Sequence, residues 1–291
     1  MAQESLLYIF SDGPKPGDEK KVESVRKYLN SINGFKRVNI VRRNNNSRVF
    51  NNRDGIRFLL KEYGKLIFLE EDIVTAQGFL NFINTGLELY KDREEIFAIC
   101  GYTPPVNLDK IYHKDIYLSL RFSAWGFGIW KARYDKILME RVDFDKFLQD
   151  KKKVRQFIKG GDDLIRLLKK DASGEIDALD VKIFYTQFLH KSYVVAPTVS
   201  LTNNIGFDGT GLHCTKTTRF ESELYDAKRK LIFEKDISLN QKVIKRLYYF
   251  RSNKPFSFKN RLTYSIINAL FHFLRRVKIF LKGIYGNLEI R

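Results

Sequence analysis

Cysteine is scarce. Two residues, Cys100 and Cys214, stand far apart in 291. Such a pair excludes a disulfide framework and points to a reducing compartment. Long apolar runs are also missing. No stretch reaches the ~18 residues that a membrane-spanning helix needs. The opening "MAQESLLYIFSDGP" lacks a basic segment followed by a long apolar one, so it reads as a first strand and not as a secretory signal. Acid is nearly absent from the C-terminal stretch: twelve Lys or Arg between Gln241 and Arg291 face the single acid Glu289, a net +11 out of +18 for the chain. Such a segment needs an acidic partner, a membrane surface or a nucleic acid.

What is present reads as one large α/β domain with an appendage. Hydrophobic residues make up 44%, enough for a sizeable core. Apolar runs at 5–10, 37–42, 65–70 and 95–102 predict strands. Helical spacing over 19–32 (Val22, Val25, Leu29, Ile32, with Asp18 as N-cap), 54–64 (ended by Gly64) and 77–90 (Phe79, Phe82, Ile83, Leu87, Tyr90) predicts the helices between them. Strict β-α alternation implies a mostly parallel sheet with helices on both faces. Ligands then bind beyond the carboxyl ends of the strands. The loops expected there are "SDGPK", "RRNNNSR" and "EEDIV".

The third loop carries Glu70, Glu71 and Asp72 at the end of an apolar run. Three adjacent carboxylates repel and are costly to desolvate. They suit a hard divalent cation such as Mg²⁺ or Mn²⁺ shared with substrate phosphates; a solvated acidic loop is the alternative.

"LYIFSDGPK", "YGKLIFLEEDIVTAQGFLNFINTGLELY", "AICGYTPP", "WGFGIW" and "NNIGFDGTGLHC" follow one another over residues 7–214. In that order they resemble a bacterial group of GT-A glycosyltransferases related to the N-acetylglucosaminyltransferase-I type. The resemblance implies a GT-A fold and a catalytic domain over 1–220 (nucleotide-sugar half 1–105, acceptor half 106–220); the remainder, 221–291, reads from its charge as a basic helical extension. It implies a donor sugar on a nucleotide, with UDP the expected one, and transfer to a hydroxyl of a glycan acceptor. The family's acidic motif maps Asp72 to the metal, Mn²⁺ or Mg²⁺, and Glu70 and Glu71 to the nucleoside side; Glu71 departs from the usual Asp. Ser11, Asp12, Gly13, Arg42, Arg43 and Asn44 fall on the loops expected to meet the nucleotide. Trp125, Gly126 and Phe127 form an expected floor for the acceptor sugar, with Trp130 beginning a helix. The general base of an inverting transfer maps to Asp177, with Asp180 one helical turn on as its rival; Asp177 could instead cap a helix. Ala178 and Leu179 replace the family's Ser and Trp. His213 is a second candidate metal ligand.

From Arg261 to Ile284 a helical wheel separates Arg275, Arg276, Lys278 and Lys282 from Leu270, Phe273, Leu274, Val277, Phe280 and Leu281. A basic amphipathic helix of this kind is expected to lie in an anionic membrane surface. The expected location is therefore the inner face of the plasma membrane, near a lipid-linked acceptor of a surface polysaccharide. A packed helix is the alternative. A nucleic-acid binder would interleave basic and aromatic residues along a groove; here the charge gathers at one end, and no nucleic-acid partner is expected. A non-catalytic sugar-binding relative is the remaining alternative.

Overall fold

The computed structural model describes residues 2–209, 216–226 and 229–252. The strands are β1 (Leu6–Ser11), β2 (Arg37–Arg42), β3 (Lys65–Phe68), β4 (Ile73–Thr75), β5 (Ile96–Cys100), β6 (Ile116–Ser119), β7 (Phe127–Trp130), β8 (Tyr193–Pro197) and β9 (Thr202–Asn204). The helices are α1 (Glu19–Leu29), α2 (Arg48–Tyr63), α3 (Phe79–Leu89), α4 (Lys131–Tyr134), α5 (Phe144–Gln149), α6 (Lys151–Phe157), α7 (Asp163–Ala172), α8 (Leu179–Leu189) and α9 (Gln241–Arg251).

The fold is α/β, with a central mixed sheet ordered β3-β7-β5-β8-β6 and flanked by helices. The expectation of a mostly parallel sheet is corrected. Only β5 and β8 pair in parallel; β3 with β7, β5 with β7, and β6 with β8 are antiparallel. The crossover through α3 leaves β3 and β5 running the same way, as alternation predicts. The chain then enters β6 and β7 through loops without a helical crossover, and β7 inserts between β3 and β5 against both. Parallel neighbours need a long crossover, usually helical. Nor do the first strands join this sheet. β1 and β2 form their own parallel pair, and the Phe10 carbonyl accepts a hydrogen bond from the Asn51 side chain of α2 at 2.8 Å.

Local signals behave as their chemistry demands. α2 stops at Gly64, which is left-handed at φ 71° and closes the last turn onto the Leu60 carbonyl at 2.9 Å. Phe79, Phe82, Ile83, Leu87 and Tyr90 are all buried on one side of α3. Asp18 does not cap α1 with its side chain; it accepts from Lys21 at 2.9 Å instead.

One core face gathers Ile56, Leu60, Phe97, Phe127, Phe157, Leu164 and Phe184 under α2 and α5 to α8. The other gathers α3 with Ile99, Trp130, Leu118 and Val195. Leu224, Tyr225, Leu231, Phe233 and Leu239 pack against that second face, and Val243 and Leu247 of α9 are buried against Tyr117 and Ala196. The described parts of the expected extension, 221–226 and 229–252, thus pack through these residues on the same body. The amphipathic stretch 261–284 and its basic residues lie outside the described residues. Among the described residues, no helix is long and apolar enough to cross a membrane.

Candidate active site

The loops after β1 and β2 lock together. Gly13 donates its backbone N–H to the Asn45 carbonyl at 3.1 Å. A Cβ on Gly13 would come within 2.4 Å of the Asn44 oxygen, so only glycine permits this approach. The Asp12 carboxylate accepts from the backbone N–H groups of Gly13 (3.1 Å) and Ser47 (3.0 Å) and from the Asn46 amide (3.3 Å). Much of its bonding capacity is spent on the fold. Ser11 accepts from Arg26 at 3.2 Å. Arg43 pairs with Asp54, donates to Asn51 and lies over the rings of Phe10 and Phe50. Arg42 is exposed and donates to Asn30 at 2.7 Å; Asn44 is exposed. Of this set, Arg42 and Asn44 face solvent, while Ser11, Asp12, Gly13 and Arg43 build the loops.

The acidic triplet lies in the turn from β3 to β4, since β3 ends at Phe68. Ile73 donates to the Glu70 carbonyl at 3.2 Å and closes that turn. Asp72 is then fixed by the β4–β9 ladder: Ile73 registers with Asn204, and the Ile205 N–H reaches the Asp72 carbonyl at 2.9 Å. Its side chain sits over Gly206, where a Cβ would lie 2.5 Å from Oδ2. Asp72 Oδ1 is buried and has no hydrogen-bond partner among the described residues. Burial, then the charge of Glu71, pushes the Asp72 carboxyl above the usual carboxylate range, offset in part by the Asn204 side chain. Glu70 is pushed up to about 7 by burial and by Asp72 and Glu71, with Asp180 adding to the effect and Arg48 opposing it. Glu71 is exposed. The charge of Arg48, the first residue of α2, opposes the rise at both Glu70 and Asp180.

The two candidate bases differ sharply. Asp177 is exposed and pairs with Arg53 of α2 at 2.5 Å and with Lys182 of α8 at 3.8 Å. Burial alone would raise its carboxyl, but Arg53, Lys182 and Arg141 together hold it below the usual range. It does not cap α8, whose first flanking residue is Ala178. Asp180 is half-buried in the first turn of α8 and accepts from the Val181 N–H at 2.9 Å. Burial pushes its carboxyl up against the opposing pull of Arg121 and Arg48. Buried Asp171 and Lys182, paired at 3.0 Å, anchor the loop that carries both.

Trp125 is half-buried within an aromatic wall: its ring centroid is 4.4 Å from Tyr102, 5.4 Å from Phe207 and 6.2 Å from Phe220. Thr202 of β9 donates to the Trp125 carbonyl at 2.7 Å, so the strand that fixes Asp72 also fixes this wall. Phe127 departs from its expected place on an acceptor floor. It is 2% exposed and packs on Phe68 and Phe122 in the core, because β7 is covered on both faces. Gly126 is buried beside it. Trp130 is buried and donates to the Leu87 carbonyl at 3.1 Å. His213 lies outside the described residues.

The geometry thus brings together Glu70, Asp72, Asn204 and the Trp125 wall, while Asp180, Arg48 and Arg121 act on the acids through their charge. Arg48 closes the polar loop "RRNNNSR" and Asn204 is the second residue of "NNIGFDG"; their positions in those motifs were the available signal. Arg121 had none, since its neighbours in sequence are apolar. Among the described residues, no group of three or more His, Cys, Asp or Glu is arranged to hold a metal ion. No protein-family model matches the chain, and no curated protein matches it.

Proposed function

We propose that this chain is a GT-A-type glycosyltransferase that moves a sugar from a nucleotide-sugar donor, with UDP the favoured carrier, to a hydroxyl of a glycan acceptor in bacterial surface-polysaccharide synthesis. The observation that carries the reading is the Asp72 carboxylate, held rigidly before β4 with one buried oxygen lacking a partner. A buried charge is tolerated when it meets a counter-charge. The hard oxygen donor fits Mg²⁺ or Mn²⁺, which are often bound through one or two carboxylates plus substrate phosphates. Asp72 would hold the cation, and His213 is the proposed second ligand. A cation bound there with the donor diphosphate would neutralise the charge growing on the leaving group.

The rest of the reaction falls to side chains. Asp180 takes the proton of the acceptor hydroxyl. The acceptor oxygen bonds to the anomeric carbon as the bond from that carbon to the diphosphate oxygen breaks, on the opposite face, giving inversion. A half-buried acid with a raised pKa suits a general base better than one neutralised by three cations; that favours Asp180 over Asp177. Trp125 offers the acceptor ring an apolar face. Glu70 and Glu71 face the nucleoside.

The test is ligand stabilisation. A nucleotide sugar present with Mn²⁺ at about 100 times its Kd raises unfolding stability by about 2.7 kcal/mol. A panel of nucleotide sugars in which none shifts the melting temperature, with or without Mn²⁺, contradicts the reading.

We further propose that residues 253–291 bring the enzyme to the cytoplasmic membrane surface and its lipid-linked acceptor. The support is their composition, basic with Glu289 as the one acidic side chain. The full chain should pellet with anionic vesicles, less as salt rises, and a version ending at Lys254 should not; equal pelleting of both removes the membrane role.

A further inference from the structure

A second set of charged groups lies away from Asp72, between the central sheet and α9. A crevice there is lined by Tyr102, Tyr117, Arg121, Lys159 and Arg251, with Cys100 at its floor. Its cavity, about 20 Å³, admits one or two oxygen-sized atoms. Three cations meet there and the carboxylate at hand is Asp163. Both oxygens of Asp163 are taken by Arg121 Nη1, at 2.7 and 2.8 Å. The Arg251 guanidinium makes no hydrogen bond or ion pair among the described residues, although it is half-buried. Gly161 lies between Asp163, Arg121 and the stem of Arg251: a Cβ there would come within 2.5 Å of Asp163 Oδ1, 3.0 Å of Arg121 Nη1 and 3.1 Å of Arg251 Cβ. Burial and the charge of Arg121 bring Arg251 down to about 10, a guanidinium under repulsion.

The neighbouring hydroxyls are neutral and do not cancel that charge. Tyr102 donates to the Phe220 carbonyl at 2.7 Å, Tyr117 shares a hydrogen bond with Thr103 at 3.1 Å, and Ser119 donates to the Arg121 carbonyl at 2.9 Å. After Ser252 the sequence offers one acidic side chain, Glu289. A crevice lined by two arginines and a lysine, with one carboxylate already engaged, suits an anion. Guanidiniums match the planar or tetrahedral oxygens of carboxylate and phosphate through paired N–H donors. Arg121 also pulls on Asp180, so the crevice and the candidate base share one arginine.

We propose that Arg251, Lys159 and Arg121 form a binding site for a small oxyanion, phosphate or carboxylate, carried by the acceptor. Assignment to the acceptor rests on the glycosyl-transfer reading; binding of the oxyanion does not. The acceptor would then be an acidic glycan whose charged group sits across Arg121 from the reacting hydroxyl.

The experiment is calorimetric titration of the full chain with sodium phosphate and, separately, sodium acetate. Ionic strength is held constant with chloride, and EDTA keeps a metal-dependent donor site silent. Saturable binding of either anion is expected. Phosphate alone marks a phosphorylated acceptor, acetate alone a carboxylated one, and both leave the shared oxyanion site standing. Arg251→Gln should weaken the bound anion about 10-fold or more, as loss of a charged hydrogen bond does. Arg251→Lys should retain part of the affinity. Lys61→Gln, an exposed change on α2, should leave it unaltered. Should Arg251→Gln fail to fold, Lys159→Gln decides, because Lys159 is exposed; it should still lower affinity. Saturable binding of neither anion, or wild-type affinity in both Arg251→Gln and Lys159→Gln, overturns the site. Such a failure leaves stabilisation by nucleotide sugars untouched, so the two readings fall separately.

Discussion

Asp72→Asn removes metal-dependent turnover, by about 10³-fold, and leaves the fold intact. The magnitude follows from losing several kcal/mol of charge stabilisation at the leaving group, each 1.36 kcal/mol being tenfold in rate. The intact fold follows from the geometry. Asp72 Oδ1 has no partner to lose, and the backbone of the residue, which closes the β4–β9 ladder onto Ile205, is unchanged by an amide side chain. Burying an unpartnered charge costs free energy, so a neutral isostere removes that cost, and its amide oxygen can still accept from the Asn204 side chain that favours the carboxylate. Steady-state release of nucleoside diphosphate, with Mn²⁺ titrated, measures the first part; thermal unfolding of the metal-free variant measures the second. Near-normal turnover that still depends on the metal would take Asp72 out of its role.

The second large effect separates the two acids before and within α8. Asp180→Asn should slow the chemical step by about 10²-fold or more, the usual contribution of a positioned base, while donor binding persists. Asp177→Asn should cost much less turnover, because its carboxylate is tied to Arg53 and Lys182. The pH profile adds a direction. Burial holds the Asp180 carboxyl above the usual range, and a base works only when deprotonated. Activity should therefore be full above that raised value and fall as pH drops through it. In Asp180→Asn the limb should vanish. Asp177→Asn losing the limb while Asp180→Asn keeps it would transfer the role to Asp177.

Much of this was legible in the residues. The apolar side of α3 is set by Phe79, Phe82, Ile83, Leu87 and Tyr90, and helical spacing alone predicts it. Gly64 ends α2 because a left-handed residue is needed there. The abrupt acids after "KLIFL" mark the end of β3 and the turn into β4. Strand direction was not legible. "IYLS" and "FGIW" are short and buried, and nothing local tells β7 to slip between β3 and β5. Burial on both faces then turned Phe127 from an expected floor into core. Sequence cannot show that Ser47 and Asn46 donate to the Asp12 carboxylate. The choice between Asp177 and Asp180 depends on Arg53, 124 positions from Asp177, a distance that no local pattern spans. Arg48 and Arg121 reach the acids only through the tertiary fold.

The most direct test is the product. Wild-type protein is incubated with Mn²⁺, a nucleotide sugar that stabilises it, and a glycan acceptor bearing free hydroxyls, and the anomeric configuration of any new linkage is read by NMR. Inverted configuration, with one nucleoside diphosphate released per linkage formed, is the expected result. Retained configuration would contradict single displacement by an Asp180-activated hydroxyl, and absence of any nucleoside diphosphate release across the nucleotide sugars would contradict glycosyl transfer itself.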